Sequence, residues 1–427
     1  MKHLTTVVLL VAACGAASAQ SKDAELIQRL LERVDQLERR IAELESARGG
    51  RPADSQPLAA ATAPSPAPGP AGHAAHGMAG MAMQPDTPTV LDTGEFTKPV
   101  FALSGFSDIN FAASTDKRAR SGFSEGQFVL HMTSQLSRKV SYFGEVSFTA
   151  RADGGIGSPP ATGFNAEIER SIIRYENNDL FKVSFGRYHT PINYWNTAFH
   201  HGSWLQTTAE RPEVTRFGGS FIPVHFVGTL VEGAVDAGGL NLNYNAGIGN
   251  GRGGVINRSG DFGDINNAKA WLLSAFSRPD RIYGLQIGGA LYRDKISRIG
   301  FPEVREWIHS AHVVWDKENP EFIAEFTNVR HKPVLGGKAT NSRAFYAQVA
   351  WRLDAFERKF KPYFRYEKIA IPTTDFVFTG VPDLSGSTFG LRYEVAPFSA
   401  VKFEYRRYLR TAAPLANGLV MQTSFTF

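Results

Sequence analysis

Cysteine and long apolar runs are nearly missing from this chain, and each shortage excludes a class of protein. The one cysteine, Cys14, lies in the N-terminal apolar stretch. If that stretch is cleaved, the mature chain carries neither disulfides nor thiol chemistry. Beyond the N-terminus no run of about 18 apolar residues occurs, which excludes an ordinary transmembrane helix. Mean hydropathy is -0.21 and charged residues make up 20%, so nothing can rest on overall greasiness. A transmembrane β-barrel stays permitted, because its strands alternate apolar and polar residues and average to modest hydropathy.

What is present begins with MKHLTTVVLLVAACGAASAQ, with a basic residue at Lys2, an apolar stretch from Leu4 to Ala13, and Ala17-Ser18-Ala19 as a small-residue cleavage site. Residues 1–19 read as a secretory signal cut before Gln20. The stretch Val11-Ala12-Ala13-Cys14 also resembles the lipobox of bacterial lipoproteins, which leaves lipidation of Cys14 open.

Within residues 20–48 the apolar residues Ile27, Leu30, Val34, Leu37, Ile41 and Leu44 alternate steps of three and four. They form the a/d seam of a short periplasmic coiled coil, and Arg33 and Arg40 at g stand five residues before Glu38 and Glu45 at e. So short a coil depends on an oligomer formed elsewhere in the chain, with a dimer or a trimer compatible with the seam. Residues 49–96 turn to Ala, Pro, Gly and Ser, a composition that buries no core and separates the coil from the C-terminal strands. This linker holds His73, His76, Met78, Met81 and Met83, ligand types that suit copper or zinc.

From Phe101 onward, segments of about ten residues alternate apolar and polar positions. Gly239 to Asn250 is the cleanest, with Leu240, Leu242, Tyr244, Ala246 and Ile248 on one face and Asn241, Asn243 and Asn245 on the other. About sixteen such strands can be counted, and their connections alternate between short and long. That succession belongs to outer-membrane barrels, whose periplasmic turns are short and external loops long. A soluble sandwich has no reason to produce it. The expected fold for residues 97–427 is therefore an all-β transmembrane barrel of about 16 antiparallel strands. The last segment, NGLVMQTSFTF, can stop on Phe427 because in a closed barrel the first strand covers the last. Phe427, with Phe425, Thr423 and Met421 on its face, also looks like the C-terminal signal read by the bacterial barrel-assembly machinery.

The stretch ERSIIRYENNDLFKVSFGRYHTP, Glu169 to Pro191, and the later KPYFRYEKI, Lys361 to Ile369, resemble the phosphate-selective porins of Gram-negative outer membranes. That resemblance implies a trimeric sixteen-stranded anion channel, surrounded by outer-membrane lipid. With 8 Lys/Arg and 11 Asp/Glu before Phe96, about 38 basic residues face 30 acidic ones in the barrel, an excess near +8. A basic lumen concentrates anions because low-dielectric walls focus the field. By parity with the apolar faces, the inward bases are Lys182, Arg352, Arg365, Arg392, Lys402 and Arg406. Arg170 and Arg174 share parity with Ile168 and Ile172 and fit poorly, which places their strand in a subunit interface.

The longest loop, expected from His189 to Phe217, carries Tyr194, Trp195, His200, His201, Trp204, Arg211 and Arg216. Long loops in compact folds are commonly functional, and this one has the aromatic bulk to fold inward and narrow a channel. His189, His200 and His201 are metal-ligand types, but adjacent histidines on a loop do not define a site. Two other functions compete with the passive channel. One is a tether joining membrane to peptidoglycan or periplasmic proteins through the coil. The other is a barrel enzyme acting on lipid, for which His131 and Ser134 are too scattered to nominate a triad. No cofactor and no nucleic-acid partner is expected.

Overall fold

A computed structural model of the chain describes Arg39 and residues 99–427, apart from 158–159, 217–220, 259, 299, 382 and 412. Apart from Arg39, the expected signal, coiled coil and His/Met linker lie outside the described residues.

The alternating segments form sixteen strands. The first five are β1 (Val100–Ser114), β2 (Gly122–Gln135), β3 (Val140–Ala150), β4 (Phe164–Asn178) and β5 (Phe181–His189). After a long loop come β6 (His225–Val235), β7 (Leu242–Asn250), β8 (Ala270–Ser277), β9 (Leu285–Ile296), β10 (Val304–Asp316) and β11 (Glu321–Pro333). The last five are β12 (Thr340–Ala350), β13 (Phe360–Ala370), β14 (Leu384–Ala396), β15 (Ser399–Arg410) and β16 (Ala416–Thr426). Each pairs antiparallel with its neighbours in sequence, and β1 pairs with β16 to close the barrel. Register across the closure runs from Phe106 opposite Thr426 to Ser114 opposite Gly418. The closure continues through Phe427, whose N–H and C=O exchange bonds with Gly105 at 3.0 and 2.8 Å. Its ring stacks on Phe128 at 5.7 Å. A Cβ at Gly105 would stand 2.5 Å from that ring, so glycine is what lets the last aromatic lie down there.

Because side chains alternate along a strand, each one sorts into two faces. On β13, Lys361, Tyr363, Arg365, Glu367 and Ile369 are buried inside the barrel. On the other faces of neighbouring strands, Phe389, Phe403 and Leu419 remain 52%, 48% and 58% exposed. Large apolar residues exposed in such a continuous band need a medium other than water. Trp271 and Trp307, with ring centroids 5.5 Å apart, mark the outward face toward the long loops, and Trp315 and Trp351 mark it toward the short turns. Aromatic residues at both rims of an apolar band are the pattern of a barrel that crosses a bilayer.

One strand departs from its expected parity. At β3–β4 the register shifts, with Glu145 opposite Arg170 and then Val146 opposite Ile168. Glu169 is the extra residue of a bulge, and a bulge re-aims the side chains around it. Ile168 therefore points outward, while Glu169, Arg170, Ile172 and Arg174 all point inward. The parity argument for a subunit interface at this strand is lost.

Candidate pore constriction

The connection between β5 and β6 spans 190–224, longer than the expected end at Phe217. This third long loop folds into the lumen, and its hydrogen bonds reach strands on every side. Ser203 donates to Asp108 on β1, and His201 Nδ1 lies 3.2 Å from Gln127 on β2. The Trp195 N–H donates to Glu325 on β11 at 2.6 Å, and the Ala209 N–H donates to Glu404 on β15 at 2.8 Å. The Glu213 N–H donates to Glu367 on β13 at 2.6 Å. Much of the hydrophobic core consequently lies inside the barrel, where Ile192, Trp195 and Phe199 of the loop pack toward Ile308, Ile323 and Tyr346.

The loop residues named from sequence divide by position. Tyr194 and Trp195 open a short helix, Tyr194–Ala198, and both are buried. Trp195 meets Phe199 at 5.0 Å and Tyr346 at 6.0 Å in edge-on contacts, and Arg365 sits 6.0 Å from its ring. Burial and the nearby Asp316 push the Tyr194 phenol well above its ordinary range. His200 Nδ1 lies 2.9 Å from Asn196 Oδ1, and burial with the charges of His201 and Arg211 holds His200 well below the histidine range. Arg211 donates to the Thr215 and His200 carbonyls, and burial lowers its guanidinium to about 9. Trp204 lies under Arg392, 5.9 Å from the guanidinium. Arg216 is exposed and pairs with Glu213 at 3.3 Å.

All six of the bases chosen by parity point inward, in two tiers. Arg365, Arg392 and Lys402 clamp the loop's main chain. Arg365 donates to Thr208 Oγ1, Glu210 O and Arg211 O at 3.2, 2.9 and 3.2 Å. Arg392 donates to Trp204 O and Gln206 O at 2.6 and 2.8 Å. Lys402 donates to Ser203 O, to Thr208 O at 3.1 Å, and to Gln422. Arg406 stands beside this group, 3.2 Å from Tyr408 Oη and 3.9 Å from Glu404. Lys182 and Arg352 lie instead near the short turns, Lys182 on Glu176 at 2.8 Å and Arg352 between Glu318 and Glu394 at 2.7 and 3.0 Å.

The carboxylates that accept the loop's N–H groups, Glu325, Glu367 and Glu404, anchor the loop, a role that sequence reasoning did not assign. Their signal was available as parity, since each sits on an inward face, but no pattern in one sequence says that a distant loop will present its backbone there. On the opposite wall a second group gathers. Glu145 accepts from His131 at 2.9 Å and from Arg170 at 2.5 Å. Glu169 takes His225 at 2.8 Å and His201 at 3.3 Å. His131 points inward, whereas Ser134 shares the outward parity of Leu130 and Met132, so the two do not form a nucleophile and base.

No protein-family model matches the chain, and no curated protein matches it. Solved structures do. An anion-selective porin from Comamonas acidovorans is 12% identical over 77% of this chain and 100% of that one, with a TM-score of 0.56. Salmonella typhi OmpF in complex with daunomycin is 12% identical over 77% of this chain and 97% of that one, with a TM-score of 0.53. The outer membrane protein OmpT of Vibrio cholerae in its trimer form is 14% identical over 77% and 99%, with a TM-score of 0.52. At these identities the likeness is one of fold, and the fold is that of bacterial outer-membrane porins.

Proposed function

We propose that this protein is an outer-membrane porin, a passive diffusion channel for small hydrophilic solutes with a preference for anions. The observation that carries the reading is the inward loop, pinned to strands around the whole circumference of a closed barrel. Such a loop sets the width of a pore and has no comparable use in an enzyme that works on the lipid-facing rim.

Anion preference rests on charge that the clamps do not cancel. Lys402 is satisfied by neutral oxygens alone, whereas Arg365 and Arg392 divide their donors between loop carbonyls and the acids Glu367 and Glu394. On β13 to β15, Lys361, Arg365, Arg392, Lys402 and Arg406 outnumber Glu367, Glu394 and Glu404. A neighbour whose name states anion selectivity, from Comamonas acidovorans, agrees with this sign. The similarity of Glu169–Pro191 to phosphate-selective porins makes oxyanions the first solutes to try.

The surroundings follow from the same reading. Arg293, Arg305, Arg330, Lys332 and Arg343 are outward and exposed at the long-loop end, beside or beyond the Trp271 and Trp307 row. They suit contact with phosphorylated lipid headgroups. A trimer agrees with the trimer form of the Vibrio cholerae protein, residues 20–48 extend into the periplasm, and Phe427 serves the assembly machinery. Planar-bilayer recording tests the function: steady conductance is expected, with a reversal potential toward chloride in a potassium chloride gradient, reduced when phosphate replaces chloride. Better permeation by potassium than by chloride rejects the anion preference. Silent barrels that hydrolyse lipid reject the porin.

A further inference from the structure

Six side chains from five segments of the chain meet where the inward loop touches its wall. Glu145 comes from β3, Glu169 from the bulge of β4, His189 ends β5, His200 and His201 follow the loop helix, and His225 opens β6. Glu169, His189, His200 and His225 each offer one ligand atom, and the four atoms lie within 4.8 Å of one another. Glu145, His189 and His201 make a second such group that shares His189. Ring centroids are 3.7 Å apart for His189 and His200, 5.1 Å for His200 and His225, and 5.5 Å for His189 and His225. Five of these six residues are buried, and His225 is half-buried.

We propose that this cluster is a binding site for a divalent transition-metal ion of the zinc class, held by His189, His200, His225 and Glu169, with Glu145 and His201 adjoining. Three imidazoles and a carboxylate are a donor set that suits zinc in tetrahedral coordination. Their outer partners fit as well, since metal-bound histidines and carboxylates are usually oriented by a second hydrogen bond. Asn196 Oδ1 takes the Nδ1–H of His200 at 2.9 Å, Gln127 Oε1 holds His201 Nδ1 at 3.2 Å, and Ser147 donates to Glu169 at 2.7 Å. At His225, Nε2 faces Glu169 at 2.8 Å, the side on which the ion would sit, while Arg187 lies 3.1 Å from Nδ1. An anion is disfavoured here, because two buried carboxylates face the histidines. Of the neighbouring guanidiniums, Arg170 is engaged by Glu145 and Arg187 by Glu167, while Arg211 donates to the Thr215 and His200 carbonyls. A bound ion would join His200 of the loop to β4, β5 and β6, fastening one end of the constriction.

The test is calorimetric titration of the detergent-purified full chain with zinc, beside the double variant His189→Gln/His200→Gln and the control His309→Gln, which changes an outward histidine. Any zinc taken by the His/Met linker is common to all three. One tight equivalent is expected in the native chain and the control, weakened at least tenfold in the double variant, with the heat-dependent gel mobility of a folded barrel retained. Equal tight binding in a folded double variant overturns the proposal, as does its absence from the native chain. Cobalt absorption of the native chain decides independently of the variant's folding: intense visible bands of a four-coordinate ion support the site, and only the weak bands of a six-coordinate ion reject it.

Discussion

The two walls that hold the inward loop use opposite chemistry. On the basic wall, formed by β13, β14 and β15, charged side chains grip main chain: Arg365, Arg392 and Lys402 donate to loop carbonyls, and Glu367 and Glu404 accept loop N–H groups. On the histidine wall, formed by β3 to β6, side chain meets side chain: Glu169 faces His201, and His189 stacks near His200. A grip on backbone tolerates almost any loop sequence, since every residue but proline offers the same carbonyl and N–H. A grip on imidazoles exists only because His200 and His201 stand at those two positions. The basic wall therefore fixes the loop's path, and the histidine wall gives one stretch of it a specific chemistry.

The largest effect expected from breaking this contrast comes from Arg365. Arg365→Ala removes a fully buried cation, takes one donor from each of Glu210 O, Arg211 O and Thr208 Oγ1, and leaves Glu367 without a charge 3.4 Å away. Removing one partner of a buried ionic group costs about 3–5 kcal/mol. Guanidinium unfolding followed by tryptophan fluorescence should show that loss, with faster proteolysis inside 190–224 and a reversal potential moved toward cations. A change below about 0.5 kcal/mol, the range of neutral surface substitutions, would mean that the loop is held in place without this wall.

How much of the molecule was legible in the sequence obeys the same division. Strand existence, strand number, closure on Phe427 and the inward parity of Arg365, Arg392 and Lys402 all follow from a two-residue period and alternating connections, which are local. The β4 bulge was not legible: an extra residue shifts parity without changing composition, so Arg170 and Arg174 read as outward when both lie inside. The destination of the inward bases was also hidden. Their parity says that they face a lumen, and only three dimensions say that a loop 150 residues or more away in sequence enters that lumen and occupies them. The histidine cluster combines both difficulties, since it needs the bulge at Glu169 and the return of the loop to meet His189 and His225.

A smaller effect sharpens the basic wall at its short-turn end. Glu318, in the turn between β10 and β11, lies between Arg352 at 2.7 Å and Lys361 at 3.2 Å. Burial alone would raise its carboxyl, but Lys361 and Arg352 outweigh burial and lower it to about 2 from 4.5. A depressed carboxyl stabilises the folded state above the unfolded value and loses that contribution as pH falls through the folded one. Unfolding followed from pH 6 downward should therefore show Glu318→Gln and the native chain converging between about pH 4.5 and 2, with the native chain more stable above that window. Curves that stay parallel throughout would remove Glu318 from the account.

The smallest effect tests the exposed edge of the loop segment that the basic wall holds through Glu213. Arg216 is a loop cation like Arg211, but its side chain is 59% exposed and its partner is Glu213, three residues earlier in the same loop. Glu213 itself is largely buried and keeps Arg410 at 3.0 Å when Arg216 is removed, and a pair whose cation is in water contributes about 0–1 kcal/mol, because water screens it and ordering the side chains costs entropy. Arg216→Ala should leave unfolding within about 0.5 kcal/mol of the native chain. Its charge still faces solvent, so chloride preference should fall slightly, and that fall should shrink in high salt as the Debye length shortens. A selectivity change as large as that of Arg365→Ala would place the narrowest part of the passage at Arg216.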